Sequence, residues 1–275
     1  MGKQGNYRPD PGIDLERFAM FLKDGQPFRF SRFSDGELFI IRNERLEISQ
    51  SKLIIGKHAV SHQLPSHDHK LFDPETQQQF REDLIEAAQH QGEFYFIGLP
   101  GSHNKGLAND RDQIIDWRGG ISEQITFADL LINSNYKRFT NEVLPTIVYK
   151  NLTTVVGNFR TEPKRLNSSW ELIPVPDNFL ATFPECFEVI WSQIAEMDEG
   201  RLVLASASSL SNLIATRIDK ERPDLTMIDI GTALHPMMGL GDRTRDYHVQ
   251  IRRPSGLDLI RRAMYRNAPH FRIHW

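Results

Sequence analysis

The sequence predicts an α/β protein with a mainly parallel sheet covered by helices. Three observations carry this. Six short, continuous apolar runs are bounded mostly by Gly, Pro, Asp or Asn, the pattern of strands buried on both faces. Helix-like stretches lie between these runs, and strand–helix alternation implies a parallel sheet flanked by helices. The 275 residues are 39% hydrophobic and 25% charged, which suits one large domain or two small ones and excludes a disordered or fibrous chain. With no internal repeat and no low-complexity linker, residues 1–275 read as a single domain with an Arg-rich extension at 243–275.

In chain order, Leu15–Lys23 reads as a helix and Phe28–Phe33 as the first strand. Glu75–His90 follows Asp73-Pro74, a helix-start pattern, and precedes the strand Phe94–Leu99. Helical patterns cover Phe127–Lys137 and Phe139–Val148, and the strands Thr153–Phe159 and Trp170–Val175 come next. A helix over Cys186–Met197 leads to a strand at Arg201–Ala205. Leu210–Glu221 is a helix stopped by Pro223, and Leu225–Ile230 is the last strand. In such sheets ligands bind beyond the carboxyl ends of the strands, so chemistry is expected there.

Charge excludes some classes of function. The 33 Lys+Arg against 36 Asp+Glu give −3, so the chain is not a polycation built to coat nucleic acid. From Arg243 onward the balance reverses, with eight arginines, no lysine, and only Asp246 and Asp258 as acids. Arginine without lysine suits planar contact with phosphate or carboxylate. The plainer reading is a solvated terminal helix around Leu257–Tyr265; a peripheral contact with anionic lipid is the alternative. Cys186 is the one cysteine, so no intramolecular disulfide can form, which fits a reducing compartment. No apolar run approaches the roughly 20 residues of a membrane helix. The N-terminus lacks a signal-peptide core, and Asn6 weakens a myristoylation reading at Gly2. A cytoplasmic protein is expected.

The first strand runs into Arg32-Phe33-Ser34-Asp35-Gly36-Glu37. If this segment is extended, Asp35 and Glu37 project to the same side and face one cation. Hard carboxylate ligands favour Mg²⁺ or Mn²⁺, ions that also coordinate substrate phosphates. Gly36 lets a ligand approach the backbone, and Arg32 is placed to contact a phosphate. The same residues form a capping-box pattern, Ser34-x-x-Glu37 before Leu38-Phe39-Ile40-Ile41. On spacing alone the cap is the commoner reading, and both hold together because the cap does not need Asp35. A second phosphate candidate is the small-residue turn Ser206-Ala207-Ser208-Ser209 between a strand and a helix, where free amides and the helix dipole point at an anion. Such turns also cap helices with nothing bound. Gly157-Asn158, at another strand end, is a third candidate, and a simple turn is its commoner reading.

Arg-Phe-Ser-Asp-Gly-Glu after Pro27-Phe28 resembles the R-F-G-D-G-E signature of the GT-D fold glycosyltransferases. The resemblance continues at Phe94–Pro100 and at Phe127–Phe139 with its Asn-x-Asn-Tyr-Lys segment. Thr154–Asn158, Leu202–Ile218 and Met227–Gly231 extend it, so that it spans about residues 13 to 240 in the family's order. It implies a Rossmann-like fold of GT-D type and a hexosyltransferase acting on a nucleotide-sugar donor, a UDP-sugar first. The acceptor it implies is a glycan or glycoconjugate, as in surface polysaccharide biosynthesis. Asp35 and Glu37 would then hold the divalent metal bridging the leaving diphosphate, with Arg32, Gly36, Gly157, Asn158, Ser206, Ser208 and Ser209 around the donor. Asp229 and His235, at the end of the last strand, are candidates for the acceptor's base. The sequence departs from the family at Ser34, where a glycine is usual, and after Gly231, where Thr232-Ala233-Leu234-His235 replaces a different polar pattern.

Two rival readings remain. His58, His62, His67 and His69, with Asp68, suggest a metal-dependent hydrolase. Pro65 interrupts that segment and no Glu follows His58, so solvated loop histidines are the commoner reading. The other rival is a nucleotide-binding module without chemistry. There is no G-x-S-x-G elbow. Gly101–Gly106 is followed by Leu107 rather than the Lys of a P-loop, and Gly239-Leu240-Gly241 lacks the third glycine of a dinucleotide loop.

Overall fold

The structure, a computed structural model, describes residues 9–49, 52–56, 58–60, 69–101, 104–149, 152–240, 245 and 247–248. Helix α1 (Pro11–Asp24) leads to β1 (Arg29–Arg32) and α2 (Asp35–Ile41). A short ladder follows: β2 (Leu46–Ser49), β3 (Lys52–Ile55), β4 (His58–Val60) and β5 (Lys70–Phe72). Then come α3 (Gln78–Gln89), β6 (Tyr95–Leu99), α4 (Ala108–Trp117) and β7 (Ile125–Phe127). Helix α5 (Tyr136–Arg138) passes through a π-helical turn at Phe139–Val143 into α6 (Leu144–Tyr149). The remainder is β8 (Thr153–Asn158), β9 (Trp170–Val175), α7 (Glu185–Ala195), β10 (Leu202–Ser206), α8 (Leu210–Glu221), β11 (Thr226–Asp229) and the short α9 (His235–Met238).

Seven strands form one sheet in the order β7-β6-β1-β11-β10-β8-β9, and every pairing in it is parallel. The chain runs outward from β1 through β6 to β7, then fills the other side and ends at β11, against β1. The order reverses at the β1–β11 boundary, and a crevice opens at the carboxyl ends of strands where that happens. Both faces are covered. One apolar cluster joins Phe80, Leu84, Ile190 and Ile214 on the flanking helices to Ile97, Val203 and Met227 on the strands. The other joins Leu15, Phe18, Phe139 and Ile147 to Phe28, Phe30, Leu204 and Ile228. Gly98 is where the β7 connection comes closest: a Cβ there would lie 2.8 Å from the Phe127 carbonyl oxygen.

All six expected strands are present, and the α/β class and parallel sheet hold. Four details differ. Helix α1 begins at Pro11, because Asp10 accepts from Gly12 N–H at 2.7 Å and Ile13 N–H at 3.2 Å and caps it earlier than the apolar pattern suggests. Phe127–Lys137 is not one helix. Phe127 ends edge strand β7, and turns carry the chain to Asn133 before helical structure begins. Helix α4 and the four-stranded antiparallel sheet β4-β3-β2-β5 between α2 and α3 were not anticipated. The Arg-rich extension lies outside the described residues apart from Arg245, Tyr247 and His248, and so does Leu257–Tyr265. Among the described residues no helix is long and apolar enough to cross a membrane.

A charged network sits at the amino-terminal end of β1. The buried Arg29 guanidinium pairs with Asp219, whose other oxygen lies 2.7 Å from His90 Nε2. Burial works against the Asp219 charge, but His90 and Arg29 outweigh it and hold the carboxyl below its ordinary value. The stabilisation is therefore present above the ordinary carboxylate range and is lost as pH falls through the lowered value. Asp219→Ala leaves Arg29 buried without its counter-charge, so urea unfolding at neutral pH should show a loss of about 3–5 kcal/mol. A loss within 1 kcal/mol would show the network to be dispensable.

Candidate functional site

The carboxyl ends of β1, β8, β10 and β11 open into a cavity of about 400 Å³. Arg32, Ser34, Asp35, Gly36, Glu37, Asn158, Ser206, Ser208, Asp229 and His235 line it. These residues come from the separate stretches that the sequence singled out, and the fold brings them to one place.

At the end of β1 the capping box forms: Ser34 N–H donates to Glu37 Oε2 at 3.0 Å, which starts α2 at Asp35. The two acids therefore do not lie on an extended segment. They occupy the first turn of a helix, where residues two apart point roughly 200° from each other. Glu37 turns inward and is 8% exposed, and burial raises its carboxyl pKa, with Lys70 pulling the other way. Asp35 stays exposed, its Oδ1 accepting from Gly36 N–H at 3.0 Å and from the Ser34 hydroxyl at 3.2 Å.

Arg32 is buried and spans several elements. Its N–H donates to Asp229 Oδ2 at 3.3 Å, its carbonyl accepts from Asn212 Nδ2 at 2.8 Å, and its Nε–H donates to the Ala128 carbonyl. Gly231 follows Asp229 at φ +48°, and a Cβ there would run into the Arg32 guanidinium. Glycine is required on both counts. Asp229 is 5% exposed, its Oδ1 accepting from Gly231 N–H at 3.0 Å. Burial pushes its pKa up to about 7; Arg32 pulls it down and Glu37 adds to the rise.

In the turn between β10 and α8, Ser206 Oγ donates to the Gly231 carbonyl at 2.7 Å and lies 3.4 Å from His235 Nε2. Ser208 adopts φ +52° and its hydroxyl accepts from the Lys70 ammonium. Two of the expected donor residues fall off the cavity wall. Ser209 is fully buried, and among the described residues its hydroxyl has no hydrogen-bond partner. Gly157 packs under α9, where a Cβ would lie 2.5 Å from Met238 Cε, so this glycine serves packing. Asn158 does line the cavity and donates to Asp177 Oδ1 at 2.6 Å.

Sequence reasoning missed Lys70, Asp177, Asn133, Phe39, Phe179 and Tyr247, all of which line the cavity. Asn133 alone carried a signal, within the Asn-x-Asn-Tyr-Lys segment. Of the histidine cluster, His58 lies on β4 and His69 is exposed, while His62, His67 and Asp68 fall outside the described residues.

Among the described residues no three His, Cys, Asp or Glu side chains gather as a closed metal cage. A Mg²⁺- or Mn²⁺-type ion that keeps its waters and borrows phosphate oxygens needs only one or two carboxylates. Asp35, exposed on the cavity wall, fits that kind of donor set as a single carboxylate, while Glu37 lines the same cavity but points away from Asp35.

The fold and cavity together define a class: an α/β protein whose cavity lies at the strand ends where the sheet order reverses. The sequence matches no protein-family model and no curated protein. Its structure is similar to that of a glycosyltransferase, domain of unknown function 1792, from Streptococcus sanguinis, with TM-score 0.50, 12% identity and 80% of each chain covered. It is equally similar to a selenomethionine-substituted structure of domain of unknown function 1792, with TM-score 0.50, 11% identity, and 82% of this chain and 83% of that one covered. At these identities the likeness is one of fold.

The raised Asp229 pKa has a measurable consequence. A carboxyl lifted to about 7 in the folded state favours folding below its ordinary value of 3.8, and that contribution is lost as pH rises through about 7. Asp229→Asn carries no such loss. Its melting temperature relative to wild type should climb between pH 4 and pH 7 and level off above. A pH-independent difference would show that Asp229 ionises normally.

Proposed function

We propose that this protein is a metal-assisted glycosyltransferase, moving a sugar from a nucleotide-sugar donor, a UDP-sugar first, to a hydroxyl of a glycan or glycoconjugate acceptor. One observation carries the reading. A single cavity at the sheet's switch point collects two carboxylates on a helix start, a buried arginine, a serine turn at a helix N-terminus and a carboxyl with a pKa of about 7. The likeness in fold to a glycosyltransferase supports it.

Transfer breaks the bond from the sugar's anomeric carbon to the diphosphate oxygen and forms one to the acceptor oxygen. Negative charge collects on the leaving diphosphate, so catalysis needs positive charge fixed there in advance. A divalent cation held by Asp35, with Glu37 lining the same cavity, would supply part of it as a Lewis acid. Arg32 and the turn at Ser206–Ser208 contact the phosphates directly. Asp229 takes the acceptor's proton, and a base with a pKa near the working pH is suited to that task. His235, on the same wall, is the other group placed to do so.

The test is a thermal-shift screen of nucleotide sugars with and without Mn²⁺, on wild type and on Asp35→Ala/Glu37→Ala. A donor at 100 times its dissociation constant should stabilise the native state by about 2.7 kcal/mol. The stabilisation should require the metal and vanish in the double variant. A metal response that survives the double variant and is lost at His69 would favour the hydrolase instead. Donor binding with no turnover on any acceptor would favour a binding module.

A further inference from the structure

Lys70 is one of the cavity residues that no sequence pattern announced. It sits at the start of β5, in the small antiparallel sheet, and is 8% exposed. Its ammonium donates to the Ser208 hydroxyl and stands 5.9 Å from the centre of the Phe179 ring. Among the described residues no carboxylate is in ion-pair contact with it, and Glu37 attracts it only at longer range. A buried ammonium with no carboxylate in contact is costly, and one hydroxyl meets only one of its three N–H donors. The position therefore asks for an anion with several oxygens. Such an anion has a place to sit, because Ser208 belongs to the turn before α8, a twelve-residue helix whose N-terminus favours negative charge. Arg32, the other buried cation of the cavity, is 7% exposed. The small sheet also brings Leu46, Ile48 and Leu53 to the same cavity, an apolar wall beside the charged one.

We infer that Lys70 binds the diphosphate of the ligand at the β10–α8 turn, so that the small sheet is part of the binding site. In the proposed transfer, on which this role rests, the ammonium faces the oxygens that gain charge as the sugar–phosphate bond breaks. Lysine acts here as a point charge, and the contact requires charge more than shape.

The experiment titrates inorganic pyrophosphate and UDP calorimetrically into the full chain, with and without Mg²⁺, for wild type, Lys70→Met and Lys70→Arg. Lys70→Met keeps the apolar stem and should bind both probes about tenfold more weakly, the size of a lost charge-assisted bond. Lys70→Arg should stay within about threefold, since the charge is retained. Without ligand, Lys70→Met should melt close to wild type, because the relieved burial of the ammonium offsets the lost attraction to Glu37, and its ligand-induced shift should shrink.

Equal binding by Lys70→Met and wild type, with a lower melting temperature in the variant, would reduce Lys70 to a tether of Ser208 and overturn the inference. Sugar transfer by wild type that Lys70→Met matches would overturn it too while leaving the transferase reading intact. Pyrophosphate binding lost in Lys70→Met, with no transfer by wild type from any donor, would uphold Lys70 and sink the transferase. Wild type binding neither probe would sink both.

Discussion

Arg32 ties together the parts that make the site. Its backbone N–H bonds to Asp229 at the end of β11, its carbonyl to Asn212 on α8, and its side chain to the Ala128 carbonyl beyond β7. Three segments distant in sequence are thus fixed to one residue at the mouth of the cavity. Parallel strands leave backbone groups unpaired at their carboxyl ends, and buried groups of that kind must find partners. Here the partners are the polar side chains of the site. Asn212 also donates to Ser31 Oγ at 2.9 Å, which locks α8 against β1. The order of the site follows from the hydrogen bonds that complete the sheet.

The same economy explains why the cavity holds buried charge of both signs. Glu37 and Asp229 are acids whose burial disfavours ionisation, and Arg32 and Lys70 are cations inside the same wall. In a low-dielectric setting each charge depends on the others, and removing one leaves its neighbour exposed to the full cost of desolvation. Such an arrangement stabilises a fold poorly and suits one that waits for a charged ligand. The Arg29–Asp219–His90 network at the other end of β1 is the contrast, since each of its charges has a partner within the chain.

Much of the fold was legible because parallel strands buried on both faces read as unbroken apolar runs, as at Val155–Val156 and Leu202–Ala205. The small sheet was not. Its strands are three or four residues long and mix charged and apolar side chains, so neither period stands out. The candidate site was legible where residues adjoin a strand end, as Arg32, Asp35, Glu37, Ser206 and Asp229 do. The capping box at Ser34-x-x-Glu37 was legible and forms, but the shared face of Asp35 and Glu37 does not hold beside it, because the helix starts one residue after Ser34 and points the two acids in opposed directions. Lys70 and Tyr247 were invisible, since only the closed fold carries them to the cavity. Gly157 was a candidate because it stands at a strand end, and the atom that approaches it is Met238 Cε.

The four-stranded sheet is hydrogen-bonded as its own ladder, separate from the seven-stranded one, and enters between α2 and α3. Its residues form one wall of the cavity, while the strand ends form the other. Insertions, deletions or recoloured side chains in this ladder can reshape what the cavity admits without unpairing a strand of the main sheet.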